Sequence, residues 1–249
     1  MTDSQAPARA DRRAEIAAAL ARVRSRIADA CAAAGRNRAE VTMIAVTKTY
    51  PASDVVTLVG LGVTDVGENR DQEAATKAAQ VAAAGVIPRW HFVGRLQRNK
   101  VKSVLRYADV VQSVDSVRLA SALDAGVTAI GRDRPLDVLV QVSVDGDTAR
   151  GGAVPDSADP DVGLGAVTEA VAAAGGLRLA GLMAVAPLGW EPERAFARLA
   201  TVAALVRADH PQATELSAGM SGDLEAAIGY GATHVRVGSA LLGMRPTLR

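Results

Sequence analysis

Lys48 is the side chain whose type and position most favour covalent chemistry in this sequence. The 249-residue chain has four lysines, at positions 48, 77, 100 and 102. Lys48 ends an apolar run at 41–48, and because side chains alternate along a strand, Ile44, Val46 and Lys48 share one face. If that face lines a closed sheet, partial desolvation favours a neutral amine, the nucleophile that forms an imine with an aldehyde. The alternative is a strand-end ammonium that reaches solvent.

Two turns near the end of the chain have the composition of a phosphate site. The segment MSGDLEAA puts Ser221 and Gly222 at the start of one helix. The segment VGSALLG puts Gly238 and Ser239 at the start of another. Helix starts offer unpaired N–H groups, and glycine lets an anion approach the backbone. Serine N-capping explains each turn singly, but two such turns after the last two strands indicate the recurrent phosphate site of β/α barrels.

Three further polar residues are candidates for ligand contacts. Arg236 shares a strand face with His234 and precedes Gly238 by two residues, so an inward face would bring it beside the phosphate turns. A buried arginine needs an acceptor. The alternative to a ligand contact is an ion pair at the strand end. Asn69 in GENR and His91 in WHFVG are able to hydrogen-bond a polar ring substituent. The alternative for His91 is a core histidine whose hydrogen bonds all stay within the protein.

The elements that must hold these side chains follow from hydrophobic periodicity. Short apolar runs predict eight strands, at 41–48, 64–67, 89–94, 109–114, 136–144, 177–185, 213–219 and 233–238. Helical spacing predicts an N-terminal helix at about 8–34 and further helices near 52–61, 70–84, 98–107, 116–129, 161–174, 192–208, 221–229 and 239–243. Strands that alternate with helices form parallel sheets. Eight such pairs predict an α/β fold, a single (β/α)₈ TIM barrel over 1–249.

A doubly wound open sheet is the alternative fold. It would place a G-x-G-x-x-G loop after the first strand, and the sequence VTKTYPASD there has none. The segment 145–163 is the one long loop, and its glycine, proline and aspartate content predicts a mobile flap rather than a linker between domains.

Composition narrows the classes of partner. Lys and Arg number 28 against 27 Asp and Glu, a net charge of +1, which gives no electrostatic basis for binding nucleic acid or an anionic membrane. Cys31 is the single cysteine, so an internal disulfide and a cysteine-based zinc site are excluded, and we predict no metal. No apolar run reaches transmembrane length and the N-terminus lacks a signal-peptide core, so we expect a cytoplasmic protein.

Several segments together carry a family resemblance. In order along nearly the whole chain, AVTKTYP, GENRDQE, WHFVGRLQRNK, SVDS, GLMAVAP and LSAGMSGDLEAAIGYGATHVRVGSALLG resemble the pyridoxal phosphate homeostasis protein family. That family is similar to the N-terminal barrel of alanine racemase, the fold-type III barrel that binds pyridoxal 5′-phosphate (PLP). The resemblance therefore implies a PLP-binding barrel.

The resemblance also implies roles for individual residues. Lys48 is implied to hold PLP as a Schiff base. Arg236 is implied to face the pyridine nitrogen and, since arginine stays charged, to keep that nitrogen unprotonated, which weakens the ring as an electron sink. The phosphate is implied to lie at Ser221, Gly222, Gly238 and Ser239, and the ring pocket to include Asn69, His91 and Met183. One departure is Arg150 in DTARGG, where the family often has a lysine; arginine forms no Schiff base, so we expect no accessory aldehyde chemistry there.

The implied function is intracellular PLP homeostasis, a buffering, carrier or regulatory role without established catalytic turnover. The resemblance implies a monomer, with PLP-dependent apo-enzymes as hypothetical recipients of PLP. Related racemases use a second domain to supply a catalytic tyrosine, and this sequence ends at Arg249, directly after the eighth β/α unit. Two enzyme functions remain as alternatives: a PLP-dependent amino-acid racemase, and a barrel enzyme that forms a Schiff base between Lys48 and a sugar phosphate.

Overall fold

The strands form a closed barrel in which every neighbouring pair is parallel. The computed structural model describes residues 5–243. Its strands are β1 (Thr42–Val46), β2 (Asp65–Glu68), β3 (Arg89–Phe92), β4 (Val110–Val114), β5 (Leu136–Gln141), β6 (Leu177–Met183), β7 (Glu215–Ser217) and β8 (His234–Val237). They are hydrogen-bonded in sequence order, and β8 returns to β1. Each overlaps a predicted strand, so the (β/α)₈ barrel is confirmed and the open doubly wound sheet is excluded.

Within the described residues, α-helices follow the strands as predicted. They are α1 (Gln5–Ala33), α2 (Ala52–Gly60), α3 (Asp71–Ala83), α4 (Val101–Val104), α5 (Val117–Ile130), α6 (Leu164–Ala173), α7 (Pro192–Asp209), α8 (Leu224–Gly229) and α9 (Ser239–Leu242). The stretch predicted at 98–107 is shorter than expected, a 3₁₀ turn (Arg98–Lys100) followed by the single turn α4. Between residues 5 and 243, no helix combines the length and the apolar character needed to cross a membrane.

α1 covers the side of the barrel where the first and last strands meet. Four of its aliphatic residues recur at helical spacing and are buried, in one cluster with Val235 of β8: Ile16, Leu20, Val23 and Ile27. Burying each such side chain contributes roughly 1.5–3 kcal/mol to folding. The helix is therefore an integral part of the core and braces the closure of the barrel.

The sheet separates an apolar outer layer from a largely polar lumen. Outward side chains such as Ala45 and Val138 pack beneath the helices in two large clusters. One small apolar cluster lies apart from them, and alternation along the strands places it inside the barrel: Val110, Leu139, Ala180 and Met183. The polar side chains that share this inner face carry most of the chemistry described below.

A layer of paired charges closes the N-terminal end of the lumen. Asp137 accepts hydrogen bonds from Arg89 at 2.5 Å and from Arg178 at 2.6 Å, and Arg178 also lies 3.6 Å from Glu215. Burial alone would raise the pKa of Asp137, but the bonds and charges of Arg178 and Arg89 outweigh it and lower that pKa. These groups support the barrel at the end away from the strand termini that form active sites in this fold.

The segment 145–163 is tied to the barrel in its middle. The Ala153 N–H donates to the Gln141 carbonyl at 2.7 Å, and the Ala153 carbonyl accepts from the Ser143 N–H at 2.9 Å. Gly152 permits this approach, because a Cβ there would lie 2.6 Å from the Ser143 nitrogen. The composition of the segment did not indicate these backbone bonds, and the expectation of a mobile flap stays a prediction.

Burial of His234 predicts a pH dependence of stability. Burial lowers the pKa of His234 to about 4, and the opposing effect of the Asp65 charge does not offset this. In the unfolded chain the pKa of this histidine is near 6.5, so between pH 6.5 and 4 the unfolded chain binds a proton that the folded chain does not. The stability present above pH 6.5 is therefore lost as pH falls toward 4. When the pH is lowered from 7 to 5, we expect the free energy of unfolding to fall by about 2 kcal/mol more in the wild type than in His234→Gln. Urea unfolding at both pH values measures this, and equal losses would contradict it.

Candidate functional site

Lys48 lies just beyond the end of β1, at the C-terminal mouth of the barrel. The ladder continues past Val46 for one residue, where the Thr47 N–H donates to the Gly67 carbonyl at 2.9 Å, and a turn follows. The Lys48 side chain is exposed. The expected partial desolvation is therefore wrong, because the chain leaves the barrel wall before residue 48. The solvent-reaching alternative describes this structure, and an amine in this place is open to an incoming aldehyde.

The two turns rich in glycine and serine lie side by side at the same mouth. The Ala240 N–H donates to Ser221 Oγ at 3.3 Å, which joins the first turn of α9 to the turn before α8. Gly238 lies against β1, since a Cβ there would lie 3.4 Å from the Val46 carbonyl oxygen. The turn at Gly238 is thus next to the strand end that leads to Lys48.

Gly222 and Ser239 are the exposed members of these turns. A Cβ at Gly222 would meet no protein atom within 4 Å, so the space over this backbone is open to a ligand. The same turn is supported from α1, where Arg26 donates to the Ser221 carbonyl at 3.0 Å and pairs with Glu225 at 2.7 Å. The structure therefore brings the four predicted phosphate residues together.

Arg236 places a positive charge inside the lumen. Its side chain is 5% exposed, and its guanidinium donates to Ser217 Oγ at 2.7 Å and to the Ala184 carbonyl at 2.8 Å. Both partners are neutral, so the strand-end ion pair considered as an alternative does not hold it. Burial lowers the pKa of Arg236 to about 10, which leaves it charged at neutral pH. These two bonds use two of the five guanidinium N–H groups.

A chain of hydrogen bonds continues from Arg236 across the lumen. Ser217 Oγ donates to Gln112 Oε1 at 2.8 Å. Gln112 Nε2 donates to His91 Nδ1 at 2.9 Å, and His91 Nε2 lies 2.9 Å from Asp65 Oδ1. With this amide orientation the His91 proton lies on Nε2 and is donated to Asp65, so each hydrogen bond along the chain pairs one donor with one acceptor. The chain fixes where the Arg236 guanidinium sits.

The three predicted ring-pocket residues occupy different places. His91 is 1% exposed with both ring nitrogens engaged by the protein, so the core-histidine alternative describes it. Met183 is buried in the apolar cluster of the lumen. Asn69 is half-buried at the mouth, where a Cβ at Gly94 would lie only 2.1 Å from its carbonyl oxygen. Of the three, Asn69 has a side chain at the mouth.

A cavity of about 1340 Å³ opens on the side of β2 to β4. Asn69, Tyr50 and Arg95 line it, whereas Lys48 and the two phosphate turns lie outside its lining. The cavity thus reaches one predicted ring-pocket residue, Asn69, and none of the four predicted phosphate residues. The candidate site is defined by the lysine, the buried cation and the paired turns rather than by this cavity.

Gln112 and Ser217 belong to the site, although they were not among the residues predicted from the sequence. Both are buried polar residues within strands. A signal was present, since each is a polar residue inside a predicted strand, at 109–114 and 213–219, on the face that alternation turns inward. Polar residues at inward strand positions need partners, which would have paired them with Arg236.

Comparison with known proteins agrees with this geometry. The model of the alanine racemase N-terminal domain family matches residues 19–246. The pyridoxal phosphate homeostasis protein of Mycobacterium tuberculosis (strain H37Rv) is 47% identical over 248 residues, which cover 94% of this chain and 95% of that protein. The protein of the same name from Escherichia coli (strain K12) is 36% identical over 235 residues, which cover 93% and 97%.

Solved structures share the fold of this chain. PipY of Synechococcus elongatus PCC7942, solved with PLP bound, has a TM-score of 0.77 at 33% identity, and the match covers 92% of this chain and 100% of that one. Alanine racemase from Corynebacterium glutamicum shares the fold, with a TM-score of 0.65 at 17% identity over 95% of this chain and 62% of that one. The chain therefore belongs to the pyridoxal phosphate homeostasis protein family, within the wider family of the alanine racemase N-terminal domain.

Proposed function

We propose that this protein binds PLP at the barrel mouth and acts in PLP homeostasis. The observation that carries the proposal is the buried Arg236 guanidinium, held by neutral groups two residues before the turn at Gly238. A buried cation is costly unless other groups compensate it. A phosphorylated pyridine supplies an anion for the turns and an acceptor for the guanidinium. The relative PipY, solved with PLP bound, supports this choice of ligand.

Each part of the site has one task in this proposal. The N–H and hydroxyl groups at Ser221, Gly222, Gly238 and Ser239 bind the phosphate. When bound, PLP supplies an aldehyde: the Lys48 amine forms a C=N bond with the aldehyde carbon, and the aldehyde oxygen leaves as water. Asn69 and Met183 line the ring pocket. His91 acts indirectly: it hydrogen-bonds Gln112, which orients Ser217 and, through Ser217, the Arg236 guanidinium.

Arg236 limits the chemistry that this site supports. Arginine donates hydrogen bonds and accepts none, so a ring nitrogen that accepts from it stays unprotonated. Such a ring withdraws electrons weakly, which disfavours carbanion chemistry at an amino-acid substrate. The likeness to alanine racemase, at 17% identity, extends to the fold alone. We therefore assign a binding role rather than racemase turnover.

Exposure of Lys48 favours reversible holding of PLP. Water and a free aldehyde reach the amine without any opening of the barrel, so a C=N bond formed there would be reversible. The protein buffers PLP in this way, as a cytoplasmic monomer, and releases it to PLP-dependent apo-enzymes. The shared name of the relatives from Mycobacterium tuberculosis and Escherichia coli supports the homeostatic role.

The covalent assignment is tested by reduction. We expect wild-type protein mixed with one equivalent of PLP to show a visible absorption band and, after borohydride reduction, a pyridoxyl group on Lys48 by mass spectrometry. Lys48→Ala should lose both, whereas Lys102→Ala, which removes an exposed lysine of α4, should keep both. A stable pyridoxyl group on another lysine in Lys48→Ala would show the assignment to be wrong. If PLP gives no visible band and a sugar phosphate forms a reducible adduct instead, the alternative is favoured in which Lys48 forms a Schiff base with a sugar phosphate.

The absence of turnover is tested by isotope exchange. We expect single-enantiomer alanine, incubated with the PLP-loaded protein in deuterated water, to keep its α-hydrogen and its chirality, because Arg236 weakens the ring as an electron sink. Proton NMR and chiral chromatography follow both properties. Rapid α-deuterium incorporation with racemisation would overturn the binding role in favour of the racemase alternative.

A further inference from the structure

The backbone on both sides of Lys48 is held by two side chains of α3. The Lys77 ammonium donates to the Thr47 carbonyl at 2.6 Å, and the Thr49 N–H donates to Glu73 Oε1 at 2.5 Å. Lys77 also donates to the same Glu73 oxygen at 3.0 Å. One ion pair therefore fixes the peptide group before Lys48 and the peptide group after it.

Lys77 is buried and has all its donors engaged. It is 4% exposed, and its third hydrogen bond goes to Glu68 Oε1 at 2.6 Å, an oxygen that also accepts from Thr47 Oγ1 at 2.6 Å. Three acceptors match the three N–H groups of an ammonium. Lys77 thus offers no open amine to an aldehyde, and it acts on the turn that carries Lys48.

Thr49 shows how strongly this contact sets the turn. Its φ is 68°, in the left-handed region that β-branched residues disfavour, and it is the one non-glycine residue with positive φ in the described chain. Such a conformation persists only where the surroundings impose it. Two hydrogen bonds hold the turn in this shape: the Tyr50 N–H donates to the Thr47 carbonyl at 3.1 Å, and the Thr49 N–H donates to Glu73, the contact that ties the turn to α3.

We propose that Lys77 and Glu73 are positioning residues that aim Lys48 at the ligand held by the phosphate turns. This inference rests on the proposed function. Once the Glu73 acceptor is removed, Thr49 relaxes to negative φ, the flanking peptide groups rotate, and the amine spends less time within reach of the aldehyde. The phosphate turns lie just before α8 and at the start of α9, and among the described residues no hydrogen bond or salt bridge joins them to Lys77 or Glu73. Formation of the C=N bond therefore depends on Glu73, and phosphate binding does not.

The experiment compares PLP with pyridoxamine 5′-phosphate, which has the same phosphate and ring but no aldehyde. In Glu73→Ala, we expect formation of the visible band with PLP to slow about tenfold, which corresponds to about 1.4 kcal/mol. The affinity for pyridoxamine 5′-phosphate, measured by calorimetry, should be unchanged. Glu73 is suited to this test because its side chain is 31% exposed, so its loss leaves no large buried gap.

Matched variants separate positioning from a general loss of structure. Glu73→Gln keeps an oxygen acceptor for the Thr49 N–H and should recover most of the rate. Gln72→Ala, an exposed neighbour on α3, should match the wild type. Adding Thr49→Gly to Glu73→Ala should restore part of the rate, because glycine adopts positive φ at little cost.

Three results would overturn the inference. If band formation with PLP is as fast in Glu73→Ala as in the wild type, the turn keeps its conformation without the contact to Glu73. If Glu73→Ala slows band formation with PLP and weakens the affinity for pyridoxamine 5′-phosphate by the same factor, Glu73 supports the fold and has no specific effect on Lys48. A wild-type protein that forms no band with PLP removes the proposed function, and this inference with it, before any variant is made.

Discussion

The pairing of β1 with β8 is the contact on which the site depends. It sets Thr42 opposite His234 and Ile44 opposite Arg236. The lysine comes from one end of the chain and the phosphate turns from the other, so only the closure of the barrel brings them to one mouth. Register leaves no freedom here, since a slip by one residue would turn Arg236 from the lumen to the outer layer.

Polar groups buried in the lumen cost some stability, and their hydrogen bonds fix their positions. Burial alone would raise the pKa of Asp65, but its hydrogen bonds from His91 and Thr64 outweigh this and lower it, so this carboxylate is charged at neutral pH. It ends the hydrogen-bonded chain that begins at Arg236 on β8, the other neighbour of β1. Charges separated by neutral hydrogen-bonding groups attract each other less than a direct pair would, but each group has one defined position.

The fold could be predicted from the sequence because its signals are local. Alternation of apolar runs with helical spacing gave all eight β/α units, and glycine beside serine marked both turns of the candidate site. Exposure of Lys48 could not be predicted, because it depends on the residue at which the β1 ladder stops. The backbone bonds around Ala153 were missed for a similar reason, since they reach back to β5.

The contacts around Lys48 and Arg236 were also beyond sequence reasoning. Lys77 looks like any helical lysine until α3 is packed against β1 and β2, and only then does its ammonium meet Thr47. His91 was placed on the correct strand, but which groups meet its nitrogens depends on the register between β2, β3 and β4. Side chains that act across elements need the tertiary structure to be recognised.

Bracing by α1 has a consequence for how this chain is made. The helix leaves the ribosome before the barrel strands, yet the surfaces that cover Ile16 and Ile27 belong in part to α8, β8 and α9, which follow the other described elements along the chain. Throughout synthesis, its apolar face therefore lacks its native cover and is open to self-association or to chaperones. A nascent chain stopped before β8 has neither a closed ring of strands nor the turn at Gly238. The mouth of the barrel therefore takes shape only after β8 has been synthesised.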